Sequence, residues 1–162
     1  MADRLVVADS GCLIALARIE QLDLLQNLFD EVVVPEAVWA EVTQARPEAS
    51  GAAQIRAQTW LRVADAPADV TRSLALMVDL GEAEAIALAA ANPGCLLLVD
   101  DSRARRLAKR LGISLTGTLG VLRRAKDRGM IPAVGPLLRR LEAEGIYIGA
   151  KLAEAVLKSV GE

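Results

Sequence analysis

Residues 95–102 read Cys95-Leu96-Leu97-Leu98-Val99-Asp100-Asp101-Ser102, a short unbroken apolar run that stops at two acids. With Asn92-Pro93-Gly94 before it, a run this short reads as a strand buried on both faces, and the acids mark its carboxyl end. A second run has the same form: Leu5-Val6-Val7-Ala8 stops at Asp9-Ser10-Gly11. Around these two strands the apolar spacing turns helical. Leu13, Ile14, Leu16 and Ala17 follow the first, and Leu22, Leu24, Leu25, Leu28 and Phe29 form another amphipathic piece. Glu31-Val32-Val33-Val34 is a β-branched strand, and Pro35 suits the first position of a helix expected to run to about Ala45 with Val38, Val42 and Ala45 inward. Residues 46–51, with Pro47 and Ser50, read as a loop, followed by helical pieces at 52–58 and 70–78 and a strand near 60–63. Residues 81–91 form a helix that is apolar from 83 onward apart from Glu84, so burial nearly all round is expected. A basic helix at 102–111, a strand at 113–115, a turn at 116–118, a helix to 128 and a terminal helical pair at 134–144 and 149–160 complete the chain. Strands alternating with helices predict an α/β fold whose mainly parallel sheet is covered on both faces.

The chain has 162 residues, 53% of them hydrophobic, enough for one domain with a real core. One domain over 1–162 is expected, with a core at about 4–128 and a helical extension at about 130–160. Leu137, Leu138, Leu141, Ile146, Ile148, Leu152, Val156 and Leu157 in that extension either complete the core or form part of a homodimer face. Histidine is absent. Imidazole bases, Ser-His-Asp and Cys-His nucleophiles and His-containing zinc sites are therefore excluded, which leaves carboxylates, hydroxyls, amines or metals to do any chemistry. Cys12 and Cys95 are far apart in apolar surroundings and read as core, with neither a metal knuckle nor a disulfide framework indicated. No apolar stretch reaches the roughly 18 to 20 residues needed to cross a bilayer, and Leu5 to Ala8 ends at an acid, unlike a signal peptide, so a reducing cytoplasm and no membrane partner are expected. The only aromatics are Phe29, Trp39, Trp60 and Tyr147, which leaves little material for base-stacking platforms.

The formal net charge of −2 hides an uneven distribution. Residues 1–102 carry 6 basic and 16 acidic groups, a net of −10. Residues 103–128 carry nine basic groups, among them Arg103, Arg105, Arg106, Lys109, Arg110, Arg123 and Arg124, against Asp127, a net of +8. Such a run either solvates two helices or contacts a polyanion, for which phosphate neutralisation supplies most non-specific affinity.

In parallel α/β sheets ligands gather outside the carboxyl ends of the strands, where Asp9 and Asp100-Asp101 stand. Glu41 lies about 60° around its helix from Val38, at the border of the apolar stripe, and can face the same edge. Glu82 and Glu84 fall in the first turn of the most apolar helix, near its positive dipole end, and a carboxylate on such a helix needs a partner. Singly, these acids also read as helix caps (Asp9, Asp101), a surface charge (Glu41) or a first-turn charge (Glu82). Together they would repel, by roughly 4 kcal/mol for two carboxylates about 4 Å apart at an effective dielectric of about 20. A cluster of this kind binds a divalent cation or holds protons, and oxygen ligands without His or Cys point to Mg²⁺ or Mn²⁺. A hard cation beside a basic surface predicts phosphodiester hydrolysis without a histidine base. Ser10, Ser102, Thr116 and Thr118 either support the acids and a phosphate by hydrogen bonding or serve as turn and cap hydroxyls.

The order Leu-Val-Val-Ala-Asp9-Ser10, Val-Pro-Glu-Ala-Val-Trp-Ala-Glu41-Val, Gly81-Glu82-Ala-Glu84-Ala-Ile and Leu-Leu-Leu-Val-Asp100-Asp101-Ser-Arg-Ala-Arg resembles the PIN-domain nucleases over roughly residues 4–158. Within them it is most similar to the compact prokaryotic VapC-like subgroup that ends in Thr-Gly-Thr-Leu-Gly-Val-Leu and a helical extension. The resemblance implies an α/β/α sandwich and a Mg²⁺- or Mn²⁺-dependent acidic site that cleaves RNA, usually as the toxin of a toxin-antitoxin pair with a small protein antitoxin. It implies Asp9, Glu41, Glu84 and Asp101 as the four acids, with Glu82 and Asp100 as auxiliaries. The chain departs from the commoner toxin pattern in having Glu at the third position and adjacent aspartates at the fourth, which leaves the choice between Asp100 and Asp101 open. The Gly-Glu-Ala-Glu-Ala form is also similar to flap endonucleases, where both glutamates serve the metals. A metal-dependent endoribonuclease is the leading expectation. A non-catalytic PIN-like module that binds RNA or protein, and a phosphatase acting on small phosphate esters, are the alternatives.

Overall fold

The computed structural model describes residues 4–45 and 51–162, so the loop expected at 46–51 lies, except for Gly51, outside the described residues. Five strands form one all-parallel sheet: β1 (Leu5–Ala8), β2 (Glu31–Pro35), β3 (Leu61–Ala64), β4 (Leu96–Leu98) and β5 (Ser114–Thr116). Their order is β3-β2-β1-β4-β5, with Val7 level with Val33 on one side and with Leu97 on the other.

Right-handed crossovers decide where the helices go. Connections running toward β3 cover one face: α1 (Ser10–Arg18) and α2 (Asp23–Leu28) lead from β1 to β2, and α3 (Glu36–Ala40) and α4 (Ala52–Arg56) lead from β2 to β3. Connections running toward β5 cover the other: α5 (Ala68–Leu74) and α6 (Leu80–Ala90) lead to β4, and α7 (Ser102–Arg110) leads to β5. After β5 the chain returns to the first face with α8 (Thr118–Asp127), α9 (Gly135–Ala143) and α10 (Ala150–Ser159). Strand residues alternate accordingly. Val6, Ala8, Val34, Leu96 and Leu98 pack with Leu13, Leu16, Leu25, Leu122 and Leu141, while Val7, Val33, Leu97 and Val99 pack with Ala83, Ile86, Ala104 and Ala108. The result is the expected α/β/α sandwich.

The structure departs from the sequence expectation in several places, each with a local cause. The helix after Pro35 does not run evenly to Ala45. From Glu41 to Ala45 it widens into a π-helical turn, where the Thr43 hydroxyl donates to the Trp39 carbonyl at 2.5 Å and Arg56 donates to the Thr43 carbonyl at 3.0 Å. A hydroxyl bonding back to the carbonyl four residues earlier competes with the helical ladder. α5 starts at Ala68, because the Pro67 carbonyl accepts the Thr71 N–H at 3.0 Å, and ends at Leu74 rather than 78. β5 lies one residue later than expected. In the extension Leu137, Leu138 and Leu141 are buried, and Ile146, Ile148, Val156 and Leu157 pack against the same core, leaving Leu152 more than half exposed. Those helices chiefly complete the domain.

The C-terminal helix is pinned by its last residue. Gly161, at φ +79, closes α10 in a Schellman motif in which the Glu162 N–H donates to the Leu157 carbonyl at 2.8 Å. The Glu162 carboxylate then accepts the N–H groups of Val134 (2.7 Å) and Gly135 (3.0 Å) at the start of α9, and Lys126 Nζ at 2.8 Å. These bonds hold its acid down at about 2, the Lys126 contact having the largest effect.

Candidate active site

The two strands that carry the acids, β1 and β4, are the neighbours at which the chain connections reverse direction. A crevice forms at such a switch point because the loops leave to opposite sides. Ala8 pairs with Leu98, and the Asp9 N–H donates to the Leu98 carbonyl at 3.0 Å, so Asp9 emerges level with Val99 and Asp100 follows one residue farther along.

Asp9 occupies the N-cap position of α1 without capping it, is 95% buried, and its Oδ1 has no hydrogen-bond partner. Burial pushes its acid up from 3.8 to about 7; the Ser10 amide opposes this, and the charges of Asp79, Glu41 and Asp100 add to it. Asp100 is held by Thr118, whose N–H donates to Oδ1 at 2.8 Å and whose hydroxyl donates to Oδ2 at 2.6 Å. Since the Thr118 hydroxyl proton goes to Asp100, the thiol of buried Cys12, 3.3 Å away, donates to Thr118. Gly117 is required between them: a Cβ there would overlap Asp100 Oδ1 and press on Arg105. Gly81 plays the matching part opposite. A Cβ on it would stand 3.2 Å from Glu41 Oε2 and 3.7 Å from Asp79 Oδ1, so the missing side chain lets those two carboxylates approach.

Four acids bond at helix N-termini, Asp79 among them. Asp101 caps α7 by accepting the Ala104 N–H at 2.9 Å. Glu82 and Asp79 form a reciprocal capping box on α6, with Glu82 N–H to Asp79 Oδ1 at 2.8 Å. Burial and the bond to Asp79 push the Glu82 acid well above the carboxylate range. Glu84 is tied to α3: its Oε2 accepts the Ala37 N–H at 2.8 Å, at the start of that helix. Asp79, Glu82, Asp101, Ser102, Arg103 and Arg106 line an open cleft of about 520 Å³ beside the Asp9 edge. Asp79 is the acid the sequence reading passed over, although Asp79-Leu80-Gly81-Glu82 is the spacing of a capping box.

The +8 segment is not one stripe, because α7 and α8 lie on opposite faces of the sheet. Arg103 and Arg106 reach the acidic cleft, and Lys109 and Arg110 are exposed farther along α7. Arg105 turns inward and donates to the Val99 carbonyl at 2.8 Å. On α8, Arg123 pairs with Asp127 at 3.9 Å and Arg124 lies over the Phe29 ring at 5.9 Å. Ser10 is half-buried at the start of α1, Ser102 opens α7 at the cleft, and Thr116 sits where a Cβ on Gly120 would overlap it.

A buried carboxylate oxygen without a donor, faced by three further acids, fits a hard divalent cation in its chemistry. As the side chains stand, no three acids or cysteines among the described residues are close enough together to hold one.

The described residues thus form a parallel α/β/α sandwich with acids at its switch point. The DUF3368 family, described as a PIN domain, matches residues 5–162, so the chain belongs to the PIN-domain family, whose members are generally nucleases. No curated protein matches the chain. Among the described residues no helix is long and apolar enough to cross a membrane.

Proposed function

We propose that the chain is an endoribonuclease that hydrolyses RNA phosphodiester bonds with Mg²⁺ or Mn²⁺. The observation that carries this reading is Asp9, whose buried Oδ1 lacks any partner while Glu41, Asp79 and Asp100 raise its affinity for a positive charge. Asp9, Asp100, Glu41 and Asp79 would hold the cation. When bound, it would supply Lewis-acid activation of water and neutralise charge building on phosphorus. Thr118 fixes the Asp100 carboxylate, and Arg103 and Arg106 bind phosphates of the strand lying in the cleft. The resemblance places Glu84 among the metal acids, but its bond to Ala37 supports a positioning role, since it anchors the helix that presents Glu41. On this reading Glu84→Gln keeps Mn²⁺ binding in calorimetry, whereas Asp79→Asn loses most of it; the reverse result would restore Glu84 as the ligand.

The finer reading is a VapC-like toxin acting in the cytoplasm and held by a small antitoxin protein, with a homodimer as a further option. Expression should arrest growth in wild-type form and not as Asp9→Asn, and co-purification of a short neighbouring gene product would support the antitoxin. A non-catalytic RNA-binding module is the second reading, favoured by the open spacing of the acids. Purified protein separates them: with Mn²⁺ the wild type should cut single-stranded RNA and Asp9→Asn should not. Equal behaviour of the two proteins would favour the second reading.

A further inference from the structure

We propose that the loop at residues 145–149 is a nucleobase subsite, in which Tyr147 stacks on an unpaired base of the RNA strand whose phosphate lies at the Asp9 and Asp100 edge. The proposal rests on the endoribonuclease reading and names how that site would hold its substrate.

Of the four aromatic residues, Phe29 is buried, and Trp39 and Trp60 pack partly buried against the core. Tyr147 stands 89% exposed. The loop enforces that exposure. Gly145, at φ +79, ends α9 in a Schellman motif in which the N–H of Ile146 donates to the Leu141 carbonyl at 2.9 Å and that of Gly145 donates to the Glu142 carbonyl at 3.0 Å. Ile146 and Ile148 then pack against the core on either side, which leaves Tyr147 pointing outward between them.

Two hollows meet at this ring. One, of about 160 Å³, is lined by Tyr147, Leu119, Ile148 and Leu152 and, at its polar end, by Asp100 and Thr118. The other, of about 310 Å³, lies against Glu142, Gly145 and Ile146. The first hollow is continuous with the acid edge through Asp100, a residue of the candidate site itself. An aromatic face and apolar walls ending at a carboxylate and a hydroxyl suit a planar heteroaromatic ring with N–H donors. A base stacked inside a duplex is out of reach, which makes the subsite selective for unpaired nucleotides. The sequence leaves little aromatic material for base-stacking platforms, and the proposal needs one exposed ring for one base.

The test uses the full chain carrying Asp9→Asn, which should bind without cutting, and a fluorescein-labelled single-stranded RNA read by anisotropy. Adding Tyr147→Ala should weaken binding about tenfold, within the range for loss of one stacked base, and Tyr147→Phe should restore it. An oligonucleotide with one abasic position should lose the same amount, and Tyr147→Ala should add no further loss on it. Unchanged affinity for Tyr147→Ala, or losses that simply add, would overturn the subsite while cleavage by the wild type left the nuclease reading standing. Absence of both RNA binding and cleavage would remove the two together. If Tyr147→Ala instead converts a dimer to a monomer in light scattering with RNA affinity intact, the ring belongs to a protein contact and the proposal fails.

Discussion

Asp9 concentrates the conflict between folding and function in one side chain. Its acid is raised from 3.8 to about 7 in the folded protein, so folding binds a proton that the unfolded chain has released. The sign follows: the contribution is fully present below about pH 3.8 and is lost as pH rises through 7. In EDTA, wild type and Asp9→Asn should therefore unfold alike near pH 4, and Asp9→Asn should be more stable near pH 8, by at most about 4 kcal/mol. Denaturant titrations at the two pH values check this; wild type more stable at pH 8 would contradict it. Mn²⁺ should raise the wild-type midpoint and leave that of Asp9→Asn unmoved. Gly117 makes a second prediction at the same site. Its backbone is ordinary and extended, so Gly117→Ala acts by steric overlap with Asp100 and pressure on Arg105, with an expected loss of about 1 to 3 kcal/mol and of cleavage.

Among the elements, those whose role is set by their own residues could be read directly, and those set by crossover geometry could not. The apolar runs at β1 and β4 with their terminal acids, and the nearly all-apolar α6, carry their burial in their composition. That α7 and α8 sit on opposite faces follows from the handedness of the connections, which leaves no mark on local charge. The basic run accordingly reads as one stripe in sequence and divides in space. Asp79 precedes the apolar run and reads there only as the first residue of a capping box; that its charge is felt at Asp9 follows from the fold. Arg103→Ala and Arg106→Ala should lower RNA affinity and reduce its salt dependence, while Arg123→Ala and Arg124→Ala on the far face should leave both nearly unchanged. The C-terminal pair offers a test of a different kind. Glu162 has its acid lowered from 4.5 to about 2, so its contribution is present above about pH 4.5 and disappears as pH falls toward 2. Glu162→Gln should flatten that part of the stability profile and speed hydrogen exchange at the Val134 and Gly135 amides. Unchanged exchange would mean the carboxylate does not hold α9.

For the whole molecule, the fold places unlike surfaces side by side at one sheet edge: a buried acid at the switch point, an arginine-flanked cleft on the α7 side, and an exposed tyrosine on the α10 side. The absence of histidine acquires a structural meaning there, since no side chain of that type competes for the proton or the cation at Asp9. The net charge of −2 conceals an acidic stretch over residues 1–102 and a basic run over 103–128 that the fold shares between both faces of the sheet. What composition could not convey was which acids act on one another, because Glu84, Asp101 and Asp79 all bond at helix N-termini, yet the charges of Asp79, Glu41 and Asp100 are the ones felt at Asp9. The most direct measurement is incubation of a circular single-stranded RNA with purified protein and Mn²⁺, followed on a denaturing gel. The wild type should open the circle to a linear strand and Asp9→Asn should leave it closed; circles that survive the wild type, or open equally with Asp9→Asn, would contradict an internal cut made at the Asp9 edge.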